Sequence, residues 1–215
     1  MNILELKEKD FPNFHGLNTD KKERILQAAL AEFTDHGFEA ASTNRIAKDA
    51  GIGKGMLFHY FRSKELLFCF CVHYAMADYG QYYERNFKNL SGDIFERGLQ
   101  WIELKTRYYQ ESSEYALFLT NAYYSSQGQI RAAIEQAVSL EYSQRIQDFT
   151  QGVDFSGFRP DIDVKKAVDI YFMTIQGIGE RFVRTYWKKE APLPVALLRQ
   201  EVEEYSRILE KGFYK

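Results

Sequence analysis

Proline is scarce and sits where it limits helices least. The four prolines stand at Pro12, Pro160, Pro192 and Pro194, so nothing from Asp20 to Arg159 carries the residue a helix interior cannot tolerate. Within that stretch the apolar positions repeat with helical period. Ile25, Ala28, Ala29 and Phe33 follow i, i+3, i+4, i+8, with Asp20 and Glu23 as the expected N-terminal cap and Gly37 as the expected stop. Thr43 is expected to cap a short second helix that carries Ile46, Ala47 and Ala50 and ends at Gly51; after Ile52-Gly53 a third helix runs from Lys54 to Phe61. A fourth starts near Ser63, carries Leu66, Leu67, Phe70, Tyr74 and Ala77, and reaches about Asn89 before Ser91-Gly92 breaks it. Five more are expected near Asp93 to Gln110, Glu114 to Ser126, Gln129 to Thr150, Val164 to Lys188 and Pro194 to Gly212. No run alternates with period two between turn signals, and no internal repeat or low-complexity tract interrupts the pattern, so the expected class is all-α with about nine helices.

Composition narrows the function. The 215 residues are 45% hydrophobic and 27% charged, enough apolar material for one or two packed cores. Lys plus Arg number 28 against 30 Asp plus Glu, a net charge of −2, which excludes binding of nucleic acid by bulk positive charge and makes any basic surface local. Cys69 and Cys71 have no second pair, so neither a disulfide framework nor a four-ligand zinc site is expected, and the cysteine usage fits a reducing compartment. The first sixteen residues alternate charge with apolar residues, unlike a secretion signal, and apolar runs such as Leu66 to Phe70 fall far short of the roughly 20 residues of a membrane helix. The expected location is the cytoplasm. Aromatics, at 16%, exceed what a helical core of this size requires; large interfaces or an aromatic cavity would absorb the excess.

The segment with the most chemical content is the pair of short helices. In a helix-turn-helix the second helix enters the major groove by its N-terminal part, so it must begin with small or polar residues and keep apolar ones on its rear. Lys54 to Phe61 satisfies this: Leu57 and Phe61 form the buried face with Ile46, Ala47 and Ala50, leaving Lys54, Gly55, Met56, His59 and Tyr60 outward, while Phe58 is open between packing and DNA contact. Between Ala41 and Phe68, Arg45, Lys48, Lys54, Arg62 and Lys64 stand against Asp49 and Glu65, a local positive patch on a near-neutral chain.

The strings Thr43-Asn44-Arg45-Ile46-Ala47, Ala50-Gly51-Ile52-Gly53-Lys54-Gly55-Met56-Leu57-Phe58-His59-Tyr60-Phe61 and Ser63-Lys64-Glu65-Leu66-Leu67 closely resemble the DNA-binding domain of TetR/AcrR-family transcriptional regulators. The resemblance implies a helix-turn-helix domain over residues 19–64, a ligand-binding and dimerisation domain over 65–215, and an N-terminal extension of 1–18. It further implies that Thr43 touches a phosphate, that Tyr60 and Lys64 hold the DNA backbone, and that Lys54, Gly55 and Met56 meet base edges with Asn44 and His59 near the groove. The chemistry agrees: a hydroxyl, a phenol and an ammonium bond phosphate without reading sequence, whereas Lys54 can donate to guanine O6 or N7 and Met56 can contact a thymine methyl. Gly53 and Met56 depart from the residues frequent in the family, which bears on the operator sequence.

The rest of the chain implies partners. Val164, Val168, Tyr171, Phe172, Ile175, Ile178, Phe182 and Val183 spread over more than one helix face, and Val195, Leu198, Val202, Tyr205 and Leu209 form a stripe. Two such terminal helices per subunit make a four-helix bundle about a two-fold axis, so a homodimer is expected, as the resemblance also implies. The aromatic excess lies between Trp101 and Trp187, and an inducer cavity is expected to be lined by Trp101, Tyr108, Phe118, Tyr123, Phe149, Phe172 and Gln176, with Glu103 and Glu180 able to face a cationic ligand. Cys69 and His73 share a helix face but Cys71 points away, so no metal site is expected; no catalytic or cofactor-binding motif is present, and neither enzyme activity nor a cofactor is expected. The expected function is a ligand-responsive repressor that binds a pseudo-palindromic double-stranded DNA operator as a homodimer and is released by a small-molecule inducer. The alternative is an aromatic-rich small-molecule binding protein with a vestigial DNA-binding domain.

Overall fold

The computed structural model describes residues 5–186 and 194–215, so Trp187, Lys188 and Pro192 lie outside the described residues. The described residues form ten helices: α1 (Pro12–His15), α2 (Thr19–Ala40), α3 (Thr43–Asp49), α4 (Lys54–Phe61), α5 (Lys64–Asn86), α6 (Ile94–Glu111), α7 (Ser113–Ser125), α8 (Gly128–Thr150), α9 (Val164–Tyr186) and α10 (Val195–Phe213). The nine expected helices are α2 to α10, and the class is all-α. A single antiparallel bridge, Phe158 to Tyr214, is the only extended pairing among the described residues.

The chain divides into two compact units, Met1–Gln81 with Ser112–Glu141, and Tyr82–Glu111 with Tyr142–Lys215. In the first, α2 is capped by Asn18, whose side chain accepts from the Lys21 amide at 2.9 Å, rather than by Asp20 and Glu23. An Asx side chain one residue before the first turn reaches those unpaired amides; residues already inside the helix do not. The expected stop holds: Gly37 has φ 67° and ψ 176°, a left-handed turn that glycine adopts without strain, and one further turn follows it. α2 buries Ile25, Ala29, Leu30 and Phe33 and packs against α7, where Asn121 Nδ2 donates to Thr34 O at 2.9 Å. Phe68 centres this core, edge-on to Phe33, Phe38 and Phe118.

The residues before α2 are part of the same core. A 3-10 turn (Glu8–Asp10) and α1 carry Phe11 and Phe14 against Phe61 and Phe70, with ring centroids 4.8–5.4 Å apart. Burial pushes the Glu8 carboxyl up, but its hydrogen bonds to Lys22 and His15 outweigh that and hold it below the usual range.

In the second unit α6, α9 and α10 pack together. Tyr171 Oη donates to Phe95 O at 3.1 Å and lies 3.1 Å from Ser206 Oγ, tying α9 to both neighbours. The close approach depends on Gly98, where a Cβ would overlap the Tyr171 phenol. The loop after α8 is fastened to the chain end: Arg159 N donates to Phe213 O, Lys215 N to Gly157 O, and Tyr214 Oη to Asp93 Oδ2.

Candidate nucleic-acid interface

The α3–α4 pair is built by a short chain of local causes. Ser42, not Thr43, caps α3, its hydroxyl accepting from the Arg45 amide, and Thr43 is the first helical residue. Two adjacent hydroxyl residues are equivalent by propensity; the cap belongs to whichever holds the extended backbone, here Ser42 at φ −111° and ψ 112°. Gly51, at φ 66°, turns the chain, Ile52 N returns to Ala47 O at 2.9 Å, and α4 starts after Gly53. Ile46, Ala47, Ala50, Leu57 and Phe61 are buried, as the spacing requires. Arg62, with φ 63° and ψ −41°, ends α4.

The outward surface is narrower than the sequence suggests. Asn44, Lys54, Gly55, Met56 and His59 are exposed, with Met56 at 42%, and Thr43 is half-buried. They lie at the start of α3 and along the free face of α4. A Cβ at Gly55 would meet no atom of the chain, so whatever a side chain there disturbs must come from outside. Phe58 is half-buried.

Two residues expected at phosphates are turned inward in the structure. Tyr60 does not face outward: it is 4% exposed, its hydroxyl is buried without a partner among the described residues, and the Lys21 ammonium sits 5.6 Å from its ring. Leu57, Tyr60 and Phe61 are all buried on α4, so the apolar face is wider than the Leu57–Phe61 stripe alone. Lys64 is directed inward as well. Its Nζ donates to Phe38 O, Glu39 O and Ala41 O at 2.7, 3.1 and 3.3 Å and lies 4.6 Å from the Phe38 ring. Carbonyls exposed where α2 ends attract a cation, and an ammonium with three donors saturates them.

Arg45 is similarly committed. It forks onto Glu32, with Nε and Nη2 at 2.5–3.0 Å from the carboxylate, which also accepts the Ser42 amide at 2.6 Å. Glu32 is 7% exposed, and the Arg45 hydrogen bonds hold its carboxyl below the usual range. The cations of the patch that stay exposed without serving this scaffold are Lys48, Lys54 and Arg62. Sequence reasoning missed the Ser42–Glu32–Arg45 arrangement, although a glutamate among the apolar residues of α2 was a visible signal.

The seven residues expected around an inducer are shared between the two units. Phe118 and Tyr123 belong to the first unit, where Phe118 is fully buried against Phe68 and the Arg131 guanidinium stacks 4.1 Å from the Tyr123 ring centre. Trp101, Tyr108, Phe149, Phe172 and Gln176 belong to the second. There Trp101, Phe149 and Phe172 pack on one another at centroid distances of 5.1–6.1 Å, and Tyr108 packs on Tyr82 at 5.1 Å. Gln176 Oε1 accepts from Lys105 Nζ at 2.9 Å, and desolvation pulls the Lys105 pKa below its ordinary value while Glu180 opposes that shift. Glu103 is taken by Arg199 of α10, so neither glutamate is reserved for a cationic ligand. Cys69 and Cys71 are buried, with desolvation raising both thiols, Cys69 to about 12. Among the described residues no three His, Cys, Asp or Glu side chains could hold a metal ion, and no helix is long and apolar enough to cross a membrane.

A three-helix bundle whose second short helix turns a small, polar, basic edge outward is a helix-turn-helix of the DNA-binding type. Comparison with known proteins specifies it. Residues 25–69 match the family model for bacterial regulatory proteins of the tetR family. The HTH-type transcriptional regulator YhgD of Bacillus subtilis (strain 168) is 40% identical over 52 residues, 24% of this chain and 27% of that protein. The match therefore spans about a quarter of that relative. A TetR family transcriptional regulator from Chloroflexus aurantiacus J-10-FL has the same fold at a TM-score of 0.68 and 19% identity, covering 95% of this chain and 98% of that one. FadR from Bacillus subtilis, in complex with stearoyl-CoA, matches at a TM-score of 0.65 and 20% identity over 84% of this chain and 95% of its own. Its helix-turn-helix segment thus matches the tetR family model, and its fold is that of solved TetR family regulators.

Proposed function

We propose that the protein is a transcriptional repressor that binds a pseudo-palindromic operator as a homodimer, with residues 19–64 reading DNA and residues 65–215 supplying dimerisation and ligand binding. The observation that carries this reading is the exposed front of α4, where Lys54, Gly55, Met56 and His59 stand free above a fully buried rear. An α-helix so arranged fits the major groove by its N-terminal half, with Lys54 and Met56 at base edges and Thr43 and Asn44 at the groove wall. Tyr60 and Lys64 have no part in it; the phosphate-binding charge is that of Lys48 and Arg62.

The dimer rests on a second surface. Ile170 and Met173 of α9 and Leu197, Tyr205 and Ile208 of α10 are 40–67% exposed, although these helices bury Tyr171, Phe172, Leu198 and Val202 on their other sides. Apolar residues left outside a satisfied core at helical spacing are what an isologous two-fold bundle covers. Release follows when a small molecule favours the dimer conformation whose recognition helices do not fit successive major grooves, by its differential affinity for that conformation. The FadR of similar fold is in complex with a fatty acyl thioester, which supports ligand binding as part of this reading.

Selection of bound duplexes from random DNA tests it. A two-fold symmetric motif, lost when Lys54 is replaced by alanine at one position per half-site, is the expected result. Recovery of only salt-sensitive, motif-free binding would overturn it and favour the small-molecule binding protein.

A further inference from the structure

The second unit holds a buried arginine that no described carboxylate pairs with. Arg97, near the start of α6, is 3% exposed. Its Nε donates to Ser91 O at 2.8 Å, and its Nη1 to Phe149 O at 2.9 Å and Gln151 O at 2.7 Å, which holds the end of α8 in place. These bonds explain the position of the side chain but leave Nη2 without an acceptor among the described residues, and no described carboxylate pairs with the guanidinium. A desolvated cation without a counter-ion is costly, and desolvation indeed pulls the Arg97 pKa down. The guanidinium also lines a recess of about 520 Å³, open to solvent and formed by the end of α5, the following loop and the end of α8.

The walls of this recess differ in character. Phe87 supplies aromatic surface, while Tyr83 is 3% exposed and packs behind it on Trp101, with the Arg145 guanidinium 3.9 Å from its ring centre. Lys88 adds an exposed ammonium. Of its two acids, Asp148 is already engaged by Arg145 and Gln144, leaving Glu84 as the one negative group opposed to two cations. We propose that this recess binds a small organic carboxylate, its anionic end on Arg97 Nη2 and Lys88 and its apolar body on Phe87. The volume suits a small ligand, and the anion supplies the counter-charge Arg97 lacks.

The test is calorimetric titration of the full chain, without DNA, against benzoate, hexanoate and inorganic phosphate. Saturable binding of benzoate or hexanoate at one site per chain is expected, weakened about tenfold by Lys88→Glu and strengthened by Glu84→Gln. Both residues are exposed, so these variants fold even if Arg97→Lys, which should abolish binding, does not. The proposal is overturned if neither organic anion gives a saturable heat, if Lys88→Glu binds as tightly as the parent, or if phosphate binds as well as the carboxylates. Because no DNA is present, failure here leaves the regulator reading untouched, and success does not depend on it.

Discussion

At the scale of single residues, similar side chains do unlike work. Lys54 and Lys64 are both lysines of the basic patch, yet one is exposed and the other donates to three carbonyls. Lys64→Ala should therefore lower the stability of the protein by about 1–3 kcal/mol, read by chemical denaturation, while the salt dependence of DNA binding stays unchanged. A flatter salt slope in a variant of unchanged stability would restore Lys64 to the phosphate backbone. Gly55 offers the converse. Since a side chain there touches nothing within the chain, Gly55→Ala should raise helix stability, by up to about 1 kcal/mol, and yet weaken operator binding about tenfold because the added methyl meets the DNA. Melting and binding moving in the same direction would contradict this.

Glu32 adds a pH dependence at the same scale. Its folded-state pKa lies below the ordinary 4.5, so it binds fewer protons folded than unfolded around that pH. The stability it contributes is complete above 4.5 and is lost as pH falls through its depressed folded value. Denaturation midpoints of Glu32→Gln and the parent should thus converge as the pH drops below about 4, the parent being the more stable at neutral pH.

At the scale of elements, the residues before α2 change their meaning. As sequence they are an extension of alternating charge; as structure they put Phe11 and Phe14 behind the recognition helix, and Asn13 Nδ2 donates to His59 O on α4 itself at 3.2 Å. Phe14→Ala should destabilise the protein by about 3 kcal/mol or more, a typical cost for a fully buried phenylalanine, whereas an appended tail would tolerate it without effect on the melting temperature. The interruptions that glycines impose were legible beforehand. Gly37 and Gly51 both take positive φ where the pattern ends a helix. Caps were less so, because Asn18 against Asp20, and Ser42 against Thr43, are choices of one or two residues that propensity does not resolve.

At the scale of the whole molecule, the apolar residues of α9 and α10 that the second unit leaves outside are the surface on which the proposed dimer rests. If the protein dimerises as proposed, replacing Met173 and Ile208 together by aspartate should yield monomer in sedimentation velocity and lower operator affinity, since one half-site is then held alone. A double variant that remained dimeric would move the interface elsewhere.

Periodicity and turn chemistry in the sequence determined the all-helical class, the nine helices α2 to α10 and the helix-turn-helix motif, because these depend on neighbours three and four residues away and on glycines at fixed points. The motif likewise placed Lys54, Gly55, Met56 and His59 outward, and the structure leaves them exposed. Only the tertiary structure decided that Tyr60 is core, that Lys64 and Arg45 serve the scaffold, that the expected aromatic lining is divided between two units, and that Arg97 is buried with no carboxylate partner among the described residues. The reason is physical. A lysine or tyrosine takes its role from acceptors and rings brought near it by segments distant in sequence, and α4 itself is covered by residues some forty-six positions upstream, as the Asn13–His59 bond records.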